Sequence, residues 1–275
     1  WYTIDPIFYT QRPAGVSDDD ISLNSTRRVY MSELYPAVTV PTGQSQVVST
    51  LDLTYFPKER GPYNFNPATD ANNNIPNPTA NYGGIVRSLN ATNFEQSNVE
   101  FIQFWVLDPY NGNGQADVTN TGKIFFNLGE ISEDILKDGR KFYENGVGNG
   151  QVLVSPMGIW GDVPASQSLI YAFDTNQDNR ASQDVGLNGL NNAQEAAAFP
   201  AFAQFADPAG DDYNYYLNAS GDVFDRYKNY NGLEGNSPVN VSDTNRGSTT
   251  LPDVEDVNRD NTMSTINAYY EYSID

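Results

Sequence analysis

The 275-residue chain contains no cysteine and no histidine. Their absence excludes disulfide bonds, zinc sites built from cysteine and histidine, and mechanisms that need a cysteine nucleophile or a histidine base. It does not decide the cellular compartment, because many exported bacterial proteins also lack cysteine. A chain of this length can still bury a substantial core without such cross-links.

Positive charge is also scarce, since 15 Lys and Arg residues stand against 35 Asp and Glu residues and give a formal net charge of −20. Such a surface repels nucleic acid and anionic lipid headgroups, and no basic cluster offsets the repulsion. We therefore expect no nucleic-acid partner and an affinity for cations. Only 18% of the residues are charged, so the composition indicates a loop-rich globular chain and not a disordered acidic tail.

The chain lacks long hydrophobic runs. No apolar stretch approaches the length of a membrane helix, and the start at Trp1 has neither a basic segment nor an initiating Met. We therefore expect residues 1–275 to form a single soluble domain, either mature or excised from a longer protein.

The remaining pattern is mostly that of β-strands. The strongest strand pattern is Val99–Leu107, which is rich in Val, Ile, Phe and Trp and ends at Asp108 and Pro109. Further strand patterns lie at 47–56, 85–89, 123–128, 151–160 and 169–173. Because these strands do not alternate with helices, the sequence predicts a mainly β fold. We expect a jelly-roll-like β-sandwich with long loops and two or three short helical insertions.

Helical patterns are few. Ser132 is a good N-cap followed by acidic residues in the first turn, which predicts a helix that ends near Asn145. Residues 193–205 predict a helix broken near Pro200, and residues 223–230 predict a short helix. The aromatic segments 1–10 and 268–274 resemble short strands, and we expect them to pair or to lie side by side. The alternative is two unrelated edge strands.

Seven long phrases carry a family resemblance. In chain order they are GPYNFNP (61–67), YGGIVRSL (82–89), NVEFIQFWVLDPY (98–110), FFNLGEISEDILKDGRKFYENG (125–146), QDVGLNGL (183–190), DRYKNYNGLEGNSP (225–238) and LPDVEDVNRDNT (251–262). They resemble the SprA/Sov family, the very large outer-membrane translocon proteins of the type 9 secretion system, which is linked to gliding motility in Bacteroidetes. Such long phrases are more specific than a short catalytic motif.

The resemblance implies a role in protein transport and a place at the cell outer membrane, on its extracellular or periplasmic side. The family's proteins are several times longer than this chain, so we expect a fragment that meets the membrane only through its parent protein. The implied partners are secreted cargo proteins, other secretion-system subunits and the remainder of its own barrel. The family is not an enzyme family, and we expect neither catalytic nor cofactor-binding residues.

The stretch from Asp184 to Glu195 can be aligned with a twelve-residue calcium loop. The alignment supplies donors from Asp184, Asn188, Leu190 (through its carbonyl), Asn192 and Glu195, with Gly189 at the sharp turn. It departs from the pattern at Gly186, where an oxygen-bearing side chain is usual. The alternative is a helix start at which Asn191 or Asn192 caps the helix and Asp184 closes a turn.

A second candidate loop runs from Asp256 to Asn267. Its donors would be Asp256, Asn258, Asp260, Thr262 and Ser264. Asn267 occupies the last position and cannot chelate with two carboxylate oxygens, which lowers the expected affinity. The alternative is a cluster of Asx turns that uses the same side chains for backbone groups. We expect Ca²⁺ as a structural ion that stiffens these loops and no other cofactor.

Two further functions deserve comparison. The acidic groups Glu130, Glu133 and Asp134, or Glu255 with Asp256, would suit a glycosidase only if two carboxyl groups faced one another across a sugar. Aromatic residues could instead stack on sugars, which leaves a carbohydrate- or surface-binding β-sandwich module as the alternative function. The aromatic candidates are Trp1, Trp160, Tyr213, Tyr215 and Tyr216.

Overall fold

The computed structural model describes residues 1–64, 66–89, 98–108, 122–135, 153–157, 161–164, 172–242, 246, 249, 251–253 and 255–274. Its α-helices are α1 (Ile7–Thr10), α2 (Met31–Leu34), α3 (Gln177–Gln183), α4 (Asn192–Ala198) and α5 (Val223–Lys228), with 3₁₀ turns at Pro78–Ala80 and Pro200–Phe202. Within these ranges no helix has the length and hydrophobicity needed to span a membrane.

The strands are short and pair only in twos. They are β1 (Val29–Tyr30), β2 (Val47–Val48), β3 (Ile124–Glu130), β4 (Leu153–Met157), β5 (Gly161–Pro164) and β6 (Ala268–Ile274). Among the described residues, the antiparallel pairs β1–β2, β3–β6 and β4–β5 make three separate sheets. The predicted jelly-roll-like β-sandwich is therefore wrong, and most of the described chain consists of loops.

The error has a physical cause. Residues 99–107 have strand composition, but they form no ladder with another described segment, and their side chains are exposed, with Phe101 at 75% and Trp105 at 60%. Strand propensity measures how well a side chain fits a half-buried pleated surface. It cannot say whether the same chain supplies the neighbouring strand.

The terminal segments pair with internal partners and not with each other. Tyr2 forms an isolated antiparallel bridge with Asp52, and β6 pairs along its length with β3. The expected pairing of the two ends is thus wrong. The helix expected near Pro200 is confirmed, since α4 ends at Ala198 and a 3₁₀ turn begins at Pro200, and α5 confirms the short helix expected at 223–230.

The main hydrophobic core joins the start of the chain to α5. Tyr227, which is buried, stacks on Tyr2 at 4.2 Å and on Tyr216 at 5.1 Å between ring centroids, and Phe8 packs against both Tyr216 and Tyr227. The hydroxyl groups are also engaged: Asp5 donates its N–H to the Tyr227 oxygen at 2.9 Å, and the Tyr216 hydroxyl donates to the Asp5 carboxylate at 2.7 Å. This core fixes two distant parts of the chain against each other.

Arginine side chains hold the loops together. The guanidinium of Arg226 donates to the carbonyl of Ala14 at 2.6 Å, and that of Arg180 donates to the carbonyl of Ser237 at 2.5 Å. Buried backbone carbonyls need hydrogen-bond donors. The described residues form few sheet ladders, so side chains must supply many of these donors. Buried hydrogen bonds between side chains and the backbone therefore stabilise the packing of the loops.

Candidate functional site

Three carboxylates from separate parts of the chain converge on one point. One oxygen from each of Glu195, Asp211 and Glu234 lies within 4.8 Å of the other two. Glu195 is completely buried, Asp211 is 2% exposed, and Glu234 is partly buried. We call these residues the three-carboxylate cluster.

Asp207 shapes the turn that carries Asp211. The Asp207 carboxylate accepts the N–H groups of Gly210 at 2.6 Å, Asp211 at 3.0 Å and Asp212 at 3.2 Å. A carboxylate that accepts several successive N–H groups locks the backbone that carries them. The direction of the Asp211 side chain is therefore set by its own turn.

Backbone contacts bring the other two carboxylates to this turn. The Asp211 carbonyl accepts the N–H groups of Leu233 at 2.7 Å and Glu234 at 3.0 Å. Glu195 projects from α4, and its Oε2 accepts the N–H of Ala209 at 3.0 Å. The cluster is thus built on positions that the surrounding backbone fixes.

Gly186 leaves the space that Asp211 occupies. Its φ is +80°, and a Cβ placed there would lie 2.5 Å from Oδ2 of Asp211. Any larger residue would be strained and would press on the carboxylate. The close approach of Asp211 therefore explains why position 186, which departs from the calcium-loop pattern, is a glycine.

The cluster is electrostatically unfavourable in the absence of a cation. Burial, together with the negative charges of the neighbouring Glu195, Asp207 and Glu234, raises the pKa of Asp211 to about 9. Burial likewise raises the pKa of Glu234 to about 8 and that of Glu195 to about 7. Among the described residues, no lysine or arginine forms an ion pair with these three groups.

Two residues of the first predicted loop, Asn188 and Asn192, lie beside the cluster. The side-chain amide of Asn188 donates to Oε1 of Glu195 at 2.5 Å. Asn192 donates its N–H to Oε1 of Glu234 at 3.3 Å. Leu190 instead has its side chain buried in an apolar group with Phe199. Part of the predicted donor set therefore gathers around Glu195.

Asp184 lies outside the cluster. It ends α3, and its Oδ2 accepts the N–H of Ser237 at 2.9 Å. Burial raises its pKa to about 6, against the effect of the Ser237 N–H and the Arg180 charge. Asn191 caps α4 by accepting the N–H of Gln194 at 3.0 Å. These are the contacts of the helix-start alternative, and calcium binding by the loop Asp184–Glu195 stays a prediction.

Sequence reasoning missed Asp211 and Glu234. Both are distant from Glu195 along the chain, so no spacing rule connects them. The one local feature of the sequence that points to an acidic site here is the adjacent pair Asp211 and Asp212 after Gly210.

In the second predicted loop, backbone N–H groups already bond to side-chain oxygens of Asp256, Asn258 and Asp260. The buried Asp256 accepts the N–H groups of Asp260 at 3.1 Å and Asn261 at 2.9 Å, and Oδ1 of Asn258 also accepts the Asp260 N–H. Oδ1 of Asp260 accepts the Thr262 N–H at 2.8 Å, and this contact and the Thr262 hydroxyl lower the pKa of Asp260. These contacts match the Asx-turn alternative, while calcium binding there stays a prediction.

Glu133, which lies outside the second predicted loop in the sequence, accepts backbone N–H groups from it. Its Oε1 accepts the N–H groups of Val257 at 3.0 Å and Asn258 at 3.2 Å, and its Oε2 accepts the N–H of Ser264 at 2.9 Å. Residues 131–135 are not helical, and the rest of the helix predicted after Ser132 lies outside the described residues. Glu133 therefore serves as an acceptor for a loop and not as a first-turn helix residue.

The pair β3–β6, called the ribbon below, presents an apolar face. Residues opposite one another in an antiparallel pair project to the same side, so this face carries the pairs Ile124–Ile274, Phe126–Tyr272 and Leu128–Tyr270. Tyr270 is 77% exposed and Tyr272 is 58% exposed. Phe104 contacts Phe126 at 4.7 Å between ring centroids, which covers only part of the face.

Residues 187–275 match the family model SprA_N, which describes a motility-related/secretion protein. Over these residues the chain is similar to the SprA family. The match confirms the resemblance to the SprA/Sov family drawn from the sequence phrases. No curated protein matches the chain significantly.

The matched residues include several of the features described above. The three-carboxylate cluster, the loop from Asp256 to Ser264 and strand β6 all lie within the matched residues. The SprA match thus connects a motility- or secretion-related family to both the acidic cluster and one strand of the ribbon.

Proposed function

We propose that the chain is a non-catalytic domain of a type 9 secretion translocon at the cell outer membrane, where it takes part in protein export and gliding motility. The observation that carries the proposal is the exposed apolar face of the ribbon in a chain of a motility- and secretion-related family. The assignment to a type 9 secretion translocon also rests on the resemblance of the sequence phrases to the SprA/Sov proteins.

The apolar surface is larger than the ribbon alone. The segment 99–107 touches the ribbon through Phe104 and Phe126. Its apolar side chains are all exposed: Val99, Phe101, Ile102, Phe104, Trp105, Val106 and Leu107. Soluble proteins rarely leave large contiguous apolar patches open to water unless the patch is an interaction site. Segments of strand composition that lack a partner strand suit pairing with strands from elsewhere. We assign this surface to the remainder of the same translocon barrel, with cargo and other subunits as further partners.

The contacts of two acidic candidates, Glu133 and Asp256, support a non-catalytic role for them. Glu133 accepts N–H groups of the loop that carries Asp256, and the Asp256 carboxylate accepts N–H groups of its own loop. These oxygens therefore have structural partners.

The binding-module alternative is less well supported. It requires a row of exposed aromatic residues over a concave sheet, whereas Tyr216 is buried in the core and each described sheet has two strands.

Site-specific photo-crosslinking in the full-length protein tests the proposal. A photoreactive phenylalanine derivative at Tyr270 or Tyr272, on the exposed apolar face, should crosslink to a peptide of the translocon itself, identified by mass spectrometry. The control position is Tyr269, which lies on the same strand but on the opposite face. Failure of Tyr270 and Tyr272 to crosslink to any translocon component, with the protein present at its normal level, would contradict the proposed interface.

A further inference from the structure

The three-carboxylate cluster contains buried oxygens that lack hydrogen-bond donors. Asp211 is 2% exposed, yet its Oδ1 has no hydrogen-bond partner. The same is true of the buried Oε2 of Glu234 and of the buried side-chain oxygen of Asn192. Burying a carboxylate without a donor or a counter-charge is costly, and folded proteins rarely leave such a group uncompensated.

The surrounding charges do not compensate for the cluster. Asp207 and Asp212 add negative charge beside it. The cation that acts on Glu195 is Arg60, but its guanidinium donates to the carbonyls of Pro208 at 2.6 Å and Asp207 at 3.3 Å. The site is therefore short of positive charge.

We propose that Glu195, Asp211 and Glu234 bind one calcium ion, with the side-chain oxygen of Asn192 as a further ligand. Oxygens bound to one calcium ion at about 2.3–2.6 Å lie up to roughly 5 Å apart, so the separation of 4.8 Å or less fits a shared ion. The inference goes beyond the proposed function and does not depend on it.

The donor chemistry selects the ion. All candidate ligands are oxygens, and the chain has no cysteine or histidine to favour zinc or copper. Magnesium requires a tighter octahedron at about 2.0–2.1 Å and keeps several waters, whereas calcium accepts irregular carboxylate sets. The raised pKa values of the three acids agree with a site whose counter-charge is an ion.

This site differs from the twelve-residue loop expected from the sequence. It shares Glu195 and Asn192 with that loop, but it replaces Asp184 by Asp211 and Glu234. The ion would join α4, the turn at 207–212 and the segment at 233–234. Binding to the folded state alone would therefore stabilise all three together.

Thermal unfolding of the 275-residue chain, with excess calcium chloride and with excess EGTA, tests the site. We expect calcium to raise Tm by about 5 °C or more. The variants Asp211→Asn and Glu234→Gln should each lose this shift, because they remove a ligand charge at almost constant volume. Asp184→Asn and the exposed Asp19→Asn should keep it.

Terbium luminescence gives a second measurement, which does not depend on Tm. Tyr213 donates its N–H to the Glu234 carbonyl at 2.8 Å and is close enough to sensitise a bound terbium ion. Calcium chloride should displace terbium from the wild-type chain, and the Glu234→Gln variant should show little sensitised emission.

Three results would overturn the proposal. The first is the absence of both a calcium shift and terbium emission in the wild-type chain. The second is a shift that survives Asp211→Asn and Glu234→Gln but disappears in Asp184→Asn, because it would place the ion in the twelve-residue loop. The third is an equal or larger shift with magnesium chloride, which would overturn the assignment to calcium.

Discussion

Replacing Tyr227 by alanine is expected to lower the free energy of unfolding by about 3–5 kcal/mol. The Tyr227 ring is 2% exposed and stacks between Tyr2 and Tyr216, so its removal leaves a cavity where the start of the chain meets α5. The described part of the chain has few sheet ladders to compensate. Equilibrium unfolding in denaturant measures the loss.

Two further variants separate the causes. Tyr227→Phe removes only the acceptor of the Asp5 N–H and should cost about 1 kcal/mol, since one hydrogen bond is lost while the ring stays. Tyr270→Ala changes a tyrosine that is largely exposed and should stay within about 0.5 kcal/mol of the wild-type chain. A loss below about 1 kcal/mol for Tyr227→Ala would show that this aromatic stack does not hold the fold together.

The metal-free chain should become less stable as the pH rises from about 5 to about 9. Asp211, Glu234 and Glu195 have pKa values raised to about 9, 8 and 7, whereas in the unfolded chain they release their protons near pH 4. Within this window the folded chain holds more protons than the unfolded chain, so a rise in pH favours unfolding. Burial is the main cause of the raised pKa values, and the negative charges of Asp207 and Asp212 add to it. Arg60 is the cation near Glu195.

We expect Tm in EGTA to fall by about 5 °C or more between pH 5.5 and pH 8.5. Asp211→Asn should reduce this fall, because the variant has no carboxyl group to titrate at that position. Carboxyl groups with lowered pKa values, such as Asp70 and Asp260, titrate below the window and do not obscure it. A Tm that stays constant or rises over the same range would contradict the burial of charge in the cluster.

Helices and helix ends that depend on neighbouring residues could be predicted from the sequence. The break at Pro200 and the helix α5 follow from residues close together in the chain. The family could be predicted for a related reason, since its evidence lies in long contiguous phrases, and the match over residues 187–275 confirms it.

The fold class could not be predicted, because strand composition does not reveal a strand's partner. Residues 99–107 fit a buried strand, but in the described chain they are exposed and unpaired. The three-carboxylate cluster escaped prediction because Asp211 and Glu234 approach Glu195 only through tertiary contacts. The residues around Ser132 predict a helix that contains Glu133, whereas the Glu133 carboxylate accepts three N–H groups from a distant loop.

The most direct test of the proposed role is an export and gliding assay in a bacterium that carries this protein. The chromosomal double variant Tyr270→Asp and Tyr272→Asp places charge on the exposed apolar face of the ribbon. It should lower the export of cargo to the cell surface by about tenfold or more and impair gliding. Tyr269→Asp, on the opposite face, should have little effect. Normal export and gliding in the double variant, at wild-type protein level, would contradict the account.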